Sequence, residues 1–232
     1  MWRQFKIRLK IANRFRTDLF NKDLFKYAVV SNDNLHFDYE ISIEQEIKKN
    51  AGFENKLYNL ELAAKKINQY VLKPGQIFSF FKIIGNPKFH FKKSRTIVNN
   101  VIVEDVGGGI CQVSGIVYQI SLIAGLEILE RHNHSIDIYT EETRFTPLGT
   151  DATIVYGYKD LKIKNNFSFP VKFQIHIKEN SLHIKLLSTQ SIQKKELFFE
   201  SAINGNNIVV NIFDSDRKLL NQSKYKKMNH HI

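Results

Sequence analysis

The sequence predicts an α+β protein with a largely antiparallel sheet and two main helices, and two patterns carry that prediction. Residues 54–70 and 110–124 repeat apolar side chains at intervals of three and four, the spacing of a helix with one buried face. Residues 151–188 instead alternate apolar and polar side chains, which is typical of strands that pack one face against a core.

The first helix ends at Lys73–Pro74–Gly75, a combination that stops a helix and turns the chain. Its apolar face comprises Leu57, Leu60, Ala64, Ile67 and Val71. The aromatic and β-branched residues 76–85 then predict a strand. Residues 95–105 predict a hairpin that turns at Asn99 and Asn100.

The second helix follows three consecutive glycines and ends at Gly125, which suits the left-handed conformation of a C-cap. Strand-like sequence resumes over residues 126–139, with an interruption at Asn133. Two further strands are expected within residues 170–188, and a last hairpin within residues 198–213.

The chain is predicted to have three segments: a basic segment over residues 1–50 that precedes or packs on the domain, the domain over 51–190, and a C-terminal hairpin with a basic tail over 191–232. Residues 1–16 contain six Lys or Arg and no acid, and they predict an amphipathic helix with Trp2, Phe5, Leu9 and Ala12 on one face. Such a helix packs on the domain or lies on an anionic membrane surface.

The composition of the chain limits the expected location of the protein and the class of its binding partners. The sequence contains neither a signal-peptide core nor a run of about 18–20 apolar residues, so we expect a cytoplasmic or peripherally membrane-associated protein. The net charge of +11, from 34 basic and 23 acidic residues, favours acidic partners such as peptidoglycan or another envelope component. Nucleic acid is disfavoured, because helix-turn-helix and RNA-binding aromatic signatures are missing.

The stretch VGGGICQVSG places the only cysteine of the chain, Cys111, at the start of the second helix. Glycine amides can form an anion-binding nest, and a helix N-terminus adds partial positive charge, so both favour a thiolate. A buried, inert cysteine is the other interpretation. We predict a nucleophile with an oxyanion site among the amides of Gly108, Gly109 and Cys111. The predicted substrate-binding residues are Gly107, Gly108, Gly109, Gln112, Ser114 and Arg131.

A catalytic base is expected on the segment that follows the helix, because that segment returns alongside it. His132 and His134 both lie there, and we favour His134 as the one that reaches Cys111. Asp151 is expected to orient the imidazole, with Asp160 as the second choice. The order Cys, His, Asp is that of papain-like and transglutaminase-like thiol enzymes.

The same residues also permit a second kind of site, one that binds a metal ion. His132 and His134, together with Cys111 or Asp151, have a spacing that permits a zinc site. That spacing is common in sequences without zinc, so the prediction names no metal and no cofactor.

Four stretches stand out in order along the chain: LKPGQIFSF, VGGGICQVSGIVYQISLIAGLEILERHNHS, PLGTDATIVYGYKDLKIKNN and FPVKFQ. Together they resemble the VanW family, named for an accessory protein of glycopeptide-resistance clusters. The resemblance covers about residues 55–180, and the GGGICQVS block is its most specific part. It implies an association with the cell envelope and with glycopeptide resistance.

Two classes of function follow. The first is a thiol amide hydrolase or acyl transferase that acts on peptidoglycan peptides, with Cys111 as nucleophile, His134 as base and Asp151 as orienting acid. The second is a non-catalytic module that binds a cell-wall or other anionic ligand through its basic surface and its glycine loop.

Overall fold

The computed structural model describes residues 2–31, 34–49, 51–98, 101–137, 144 and 146–227. It confirms the α+β class with mostly antiparallel sheets, and it contains four α-helices in these ranges where two main helices were expected. The helices are α1 (Trp2–Phe20), α2 (Phe53–Ile67), α3 (Phe80–Ile84) and α4 (Ile110–Ala124). No helix within the described ranges is long and apolar enough to cross a membrane.

Twelve strands lie in the described ranges and form four small sheets rather than one large sheet. The strands are β1 (Tyr39–Glu46), β2 (Ile77–Ser79), β3 (Lys93–Val98), β4 (Val101–Val106), β5 (Glu127–Glu130), β6 (Ile136–Asp137), β7 (Lys162–Lys164), β8 (Val171–Lys178), β9 (Ser181–Ser188), β10 (Phe198–Asn204), β11 (Asn207–Phe213) and β12 (Leu219–Lys227). The sheet orders are β1-β9-β8, β10-β11-β12-β6, β2-β7-β5 and β3-β4. Every pairing within these sheets is antiparallel except that of β12 with β6.

Helix α4 lies at the centre of the core, where it packs on α2, β1 and β9. The sequence predicted a helix with one buried face, yet the helix is buried on nearly every side. Residues 150–154 cover the face that carries Ser114 and Gly115, and the hydroxyl of Ser114 donates to the carbonyl of Ala152 at 2.6 Å. Gly125 ends the helix in the left-handed conformation, as predicted.

The predicted strand over residues 76–85 is wrong in its second half. Strand β2 ends at Ser79, whose hydroxyl accepts from the backbone N–H of Lys82 and so caps the short helix α3. The carboxylate of Asp160 accepts the N–H of Phe81 at 2.8 Å. These two caps satisfy N–H groups at the start of α3, and they outweigh the β propensity of the aromatic residues there.

The other strand predictions have mixed outcomes. The hairpin over residues 95–105 is confirmed as β3 and β4, although its turn at Asn99 and Asn100 lies outside the described residues. The hairpins within 170–188 and 198–213 are confirmed. The strand that the alternation predicts over the first part of residues 151–188 is wrong, because only Lys162–Lys164 within residues 151–165 pairs in a sheet.

The division into three segments stays a prediction, but strands from the two outer segments join the sheets of the middle one. Strand β1, from the N-terminal segment, pairs along its whole length with β9. Strand β12, from the C-terminal segment, pairs in parallel with β6. Patterning predicted neither β12 nor this pairing, which places the C-terminal sheet beside the histidine segment described next.

Candidate active site

A glycine turn leads into α4 and fixes where Cys111 lies. Gly109 is the N-cap of the helix, with φ of 94°, in the left-handed region that favours glycine. A Cβ at Gly108 would collide with the backbone carbonyl of Ser94, so the loop packs directly on β3. The side-chain amide of Asn59 donates to the carbonyl of Gly108 at 2.9 Å and holds the turn against α2.

The glycine turn differs from the open nest that the sequence suggested. The N–H of Gly107 donates to the carbonyl of Lys92 at 3.0 Å, and the N–H of Gly108 donates to the carbonyl of Asp105 at 3.3 Å. Both groups therefore serve the turn itself and not a ligand. The predicted oxyanion donor at Gly108 is corrected accordingly, and the amides of Gly109 and Cys111 remain as candidates.

Cys111, His134 and Asp151 come together beside the start of α4. The partly buried thiol of Cys111 faces the ring of His134 and the backbone N–H of Ile154, and both lower its pKa. The other side of the ring, at Nδ1, lies 2.6 Å from Oδ2 of Asp151. Because a carboxylate only accepts, Nδ1 carries the proton of this bond, and Nε2 is left to face the sulfur.

The pKa shifts of the three groups all favour the charged forms: a thiolate, an imidazolium and a carboxylate. Burial raises the pKa of Cys111, but the hydrogen bond and charge of His134 and the N–H of Ile154 outweigh it, so the pKa is lowered. Burial lowers the pKa of His134, while its bonds to Asp151 and Cys111 raise it, to about 10 in sum. The pKa of Asp151 falls to about 2, because the His134 bond and nearby cations outweigh its burial.

Asp151 is itself fixed by two side chains. Its Oδ1 accepts from the guanidinium of Arg131 at 3.0 Å and from the phenol of Tyr225 at 2.5 Å. The same guanidinium donates to the carbonyls of Asp151 and Gly149, which ties the backbone of this segment to the histidine segment. The central carbon of the guanidinium, Cζ, also lies 4.9 Å from the ring centroid of Tyr118 on α4. The carboxylate therefore has little freedom to turn away from His134.

Strand β12 anchors the segment that carries His134. Asn133 donates to the carbonyl of Lys224 at 2.8 Å, and the N–H of Lys226 donates to the carbonyl of Ser135 at 2.9 Å. Arg131 adds a bond to the hydroxyl of Ser223 at 2.6 Å. The C-terminal sheet is thus part of the scaffold of the site. Ser223 and Tyr225 are the two buried side chains of β12 and lie two residues apart, the spacing of side chains on one face of a strand. That spacing is the signal in the sequence that could have indicated them.

Three predicted substrate-binding residues have internal partners instead. Arg131 is buried, with its donors bound as described above. Gln112 is buried and donates to the backbone carbonyl of Glu46 at 2.8 Å. Ser114 is fully buried and bonds to the carbonyls of Ala152 and Cys111. Buried groups with internal partners do not reach a ligand, so we propose that Arg131 and Ser114 support the site. Gln112 is buried as well, but only its amide N–H has a partner, and its Oε1 has none among the described residues.

His132 and Asp160 belong to a second polar cluster. Nε2 of His132 lies 3.0 Å from Oε1 of Glu130, so its ring is engaged with that carboxylate and not with Asp151. Asp160, the second choice for the orienting acid, accepts instead from the hydroxyl of Ser79 at 2.6 Å. Burial raises the pKa of Asp160 to about 6, although the bonds from Ser79 and Phe81 lower it. The favoured pair, His134 and Asp151, is therefore the one whose side chains are in contact, whereas His132 and Asp160 bond to other groups.

This second cluster also holds α1 on the domain. The guanidinium of Arg14 forms a two-pronged bond to Glu130, at 2.7 and 2.8 Å. The ammonium of Lys162 lies 2.6 Å from Asp18 in a buried pair. Among the described residues, no group of three or more His, Cys, Asp or Glu side chains is arranged to hold a metal ion. His132 and His134 turn to different carboxylates, which separates the two histidines of the proposed zinc site.

The fold and the thiol site define an α+β protein with a cysteine at a glycine-capped helix start. The chain belongs to the VanW family: the family model described as "VanW like protein" matches residues 55–187. The glycine turn, α4, His134 and Asp151 all lie within the matched region, whereas α1 and β12 lie outside it.

Two curated relatives show the extent of the similarity. The "Vancomycin B-type resistance protein VanW" of Enterococcus faecalis (strain ATCC 700802 / V583) is 36% identical over 124 residues, which cover 50% of this chain and 45% of the relative. The "Uncharacterized protein YoaR" of Bacillus subtilis (strain 168) is 31% identical over 148 residues, 63% of this chain and 47% of the relative. The chain spans about half the length of the curated relatives it matches. No solved structure matches it.

Proposed function

We propose that this protein is a thiol-dependent amide hydrolase or acyl transferase of the cell envelope. The observation that carries the proposal is the position of Cys111 beside His134, whose ring is hydrogen-bonded to Asp151, with the pKa of Cys111 lowered and that of His134 raised to about 10. A thiolate beside an imidazolium is the resting state of a cysteine nucleophile with its own general acid. The chain order of the three residues is that of papain-like and transglutaminase-like enzymes.

The first half of the proposed reaction forms an acyl-enzyme. The thiolate of Cys111 attacks the carbonyl carbon of an amide, and a carbon–sulfur bond forms. The amides of Gly109 and Cys111 are positioned at the helix start, where they stabilise the negative oxygen of the tetrahedral intermediate. When the carbon–nitrogen bond breaks, His134 gives its Nε2 proton to the leaving amine, and Cys111 holds the acyl group as a thioester.

The second half releases the acyl group. A water molecule, or the amine of a second substrate, attacks the thioester while His134 takes a proton from it as general base. The carbon–sulfur bond breaks, the thiolate returns, and the product is an acid in hydrolysis or a new amide in transfer. Asp151 keeps the imidazole in the tautomer that both halves need, with Nδ1–H bound to the carboxylate.

The substrate class is proposed from the family association and from charge. One relative is named as a vancomycin resistance protein, and the net charge of +11 suits an acidic wall polymer. We therefore propose the peptides of peptidoglycan as the acyl donor, and glycopeptide resistance as the context. The alternative function, a non-catalytic binder of an anionic ligand at the glycine loop, has less support, because the N–H groups of Gly107 and Gly108 are taken up inside the turn.

The experiment that tests the function is capture of the acyl-enzyme. The full chain is incubated with purified muropeptides and followed by intact-protein and peptide mass spectrometry. We expect a hydroxylamine-sensitive adduct on Cys111, release of an amine product, and loss of both in Cys111→Ala and His134→Ala. The control is His132→Ala, two residues from His134 but paired with Glu130, which should retain product formation. Binding of muropeptides by Cys111→Ala and by the unchanged chain alike, with no product from either, would support the binding module instead.

A further inference from the structure

Helix α1 has two faces of different character. The inner face follows the spacing i, i+4, i+7 and i+11 and holds the helix on the domain through Ile7, Ile11, Arg14 and Asp18. The outer face follows the same spacing, shifted by half a turn, through Phe5, Leu9, Ala12, Arg16 and Leu19. The inner contacts account for the docking of the helix, and they leave Leu9 and Leu19 largely exposed.

The outer face exposes more apolar surface than packing requires. Leu9 is 54% exposed and Leu19 is 48% exposed, and Phe15 beside them is 57% exposed. Phe20, the last residue of the helix, and Phe25 beyond it are 89% and 81% exposed. Several large apolar side chains exposed on one face are costly to leave in water, and such patches mark interaction surfaces.

The positive charges around this surface favour an anionic partner. Arg8 lies beside Phe15 and Arg16 lies within the apolar face itself, both at exposed positions. On the other side of the helix, the ammonium of Lys10 lies 3.7 Å from the ring centroid of Tyr158 and so faces the domain. The first acid of the chain is Asp18, and it faces inward to Lys162. Long cationic side chains can extend from an apolar row to a plane of negative charge, as snorkelling residues do at a lipid headgroup layer.

We propose that the outer face of α1 is a docking surface for an anionic lipid bilayer. The helix would lie in the plane of the interface, with Leu9, Phe15 and Leu19 in the acyl boundary and its cations at the headgroups. A second copy of this chain fits less well, because two such faces would bring like charges together. The proposal is independent of the chemistry at Cys111.

The test is flotation of the full chain with lipid vesicles. Vesicles of phosphatidylcholine containing about 30% phosphatidylglycerol are compared with phosphatidylcholine alone, each at low and high salt. We expect binding to the anionic vesicles only, and weaker binding at high salt, because screening reduces attraction to the headgroups. Leu9→Gln with Leu19→Gln keeps the charge and should reduce the partition coefficient by at least about tenfold.

Two controls keep the result interpretable. Ile203→Gln replaces an apolar residue by glutamine at a position of β10 that is 67% exposed. It should change vesicle binding less than about twofold, because an isolated exposed apolar side chain away from α1 adds little to binding. Circular dichroism of each variant confirms that the helix content is kept. Equal binding by the double variant and the unchanged chain would overturn the proposal. So would a dimer, seen by light scattering, that the double variant dissociates while neither protein floats with vesicles.

Discussion

One carboxylate oxygen of Asp151 accepts two hydrogen bonds from His134, one from its backbone N–H and one from its ring Nδ1, each at 2.6 Å. The pair fixes both the position of the residue and the rotation of its ring. A histidine held in this way offers Nε2 to whatever lies on the other side, and here that is the thiol of Cys111. The remaining oxygen of Asp151 is held by Arg131 and Tyr225.

Asp151→Asn is predicted to remove most of the activity while leaving the thiol in place. An amide that donates toward Nδ1 favours the wrong imidazole tautomer, and the loss in kcat should be on the order of 10³-fold. Turnover of a peptidoglycan peptide measures it. Retention of more than about half of the activity, with an unchanged Tm, would show that Asp151 does not orient His134.

The pH profile of the reaction is predicted to be a broad bell. The rate should rise through the pKa of Cys111, which lies below its ordinary value, as the thiolate forms. It should fall only as the pH rises through about 10, where His134 loses the proton that the leaving amine requires. Stopped or continuous assays from pH 5 to 11 locate both limbs. A descending limb near the ordinary histidine pKa of about 6.5 would contradict the ion pair.

Tyr225→Phe tests whether the C-terminal sheet serves the site. The change removes one donor from Asp151 without altering the packing of the ring, so the carboxylate gains freedom and kcat should fall about tenfold, with KM unchanged. Tyr158→Phe, at an exposed tyrosine, is the matched control and should leave kcat within about twofold, as for an ordinary surface change. An effect on KM alone would assign Tyr225 to substrate binding.

Two glycines of the site region are predicted to respond in opposite ways to alanine. At Gly108 the new Cβ meets the backbone of Ser94, so the free energy of unfolding should fall by more than about 2 kcal/mol. At Gly115 the nearest atom is the Cα of Asp151 at 3.7 Å, an ordinary contact, and alanine in a helix is favoured by about 0.5–1 kcal/mol. Urea denaturation compares the two. Equal effects would mean that the glycine turn does not pack on β3 as described.

Lys162→Met tests the cluster that holds α1. The variant leaves Asp18 buried without its cation, and breaking such a pair costs about 3 kcal/mol. Lys164→Met, on the same strand, removes only the half-exposed pair with Glu127 and should cost less than about 1 kcal/mol. Similar losses from the two changes would argue against a buried pair.

The sequence predicted the elements that periodicity controls. Helices α2 and α4, the Gly125 cap and three hairpins follow from local spacing and from turn residues, and the structure confirms them. The proximity of Cys111, His134 and Asp151 was also expected, because a helix and the segment that returns beside it bring such residues together.

What the sequence did not predict depends on contacts between distant segments. The caps of α3 come from Ser79 and from Asp160, which lies 79 residues after Phe81, so the local β propensity of residues 80–84 was misleading. The role of Arg131 depends on Tyr225 and Ser223, which lie on a strand that alternation alone did not indicate. The burial of Gln112 and Ser114 follows from the covering segments, which a helical wheel does not contain.

The most direct test of the central claim is the pH dependence of the alkylation rate of Cys111 by iodoacetamide. The unchanged chain should show a thiol pKa clearly below the free value of about 8.5, and His134→Ala should raise it, whereas His132→Ala should not. A thiol pKa at or above about 8.5 in the unchanged chain, insensitive to His134→Ala, would contradict the thiolate–imidazolium pair.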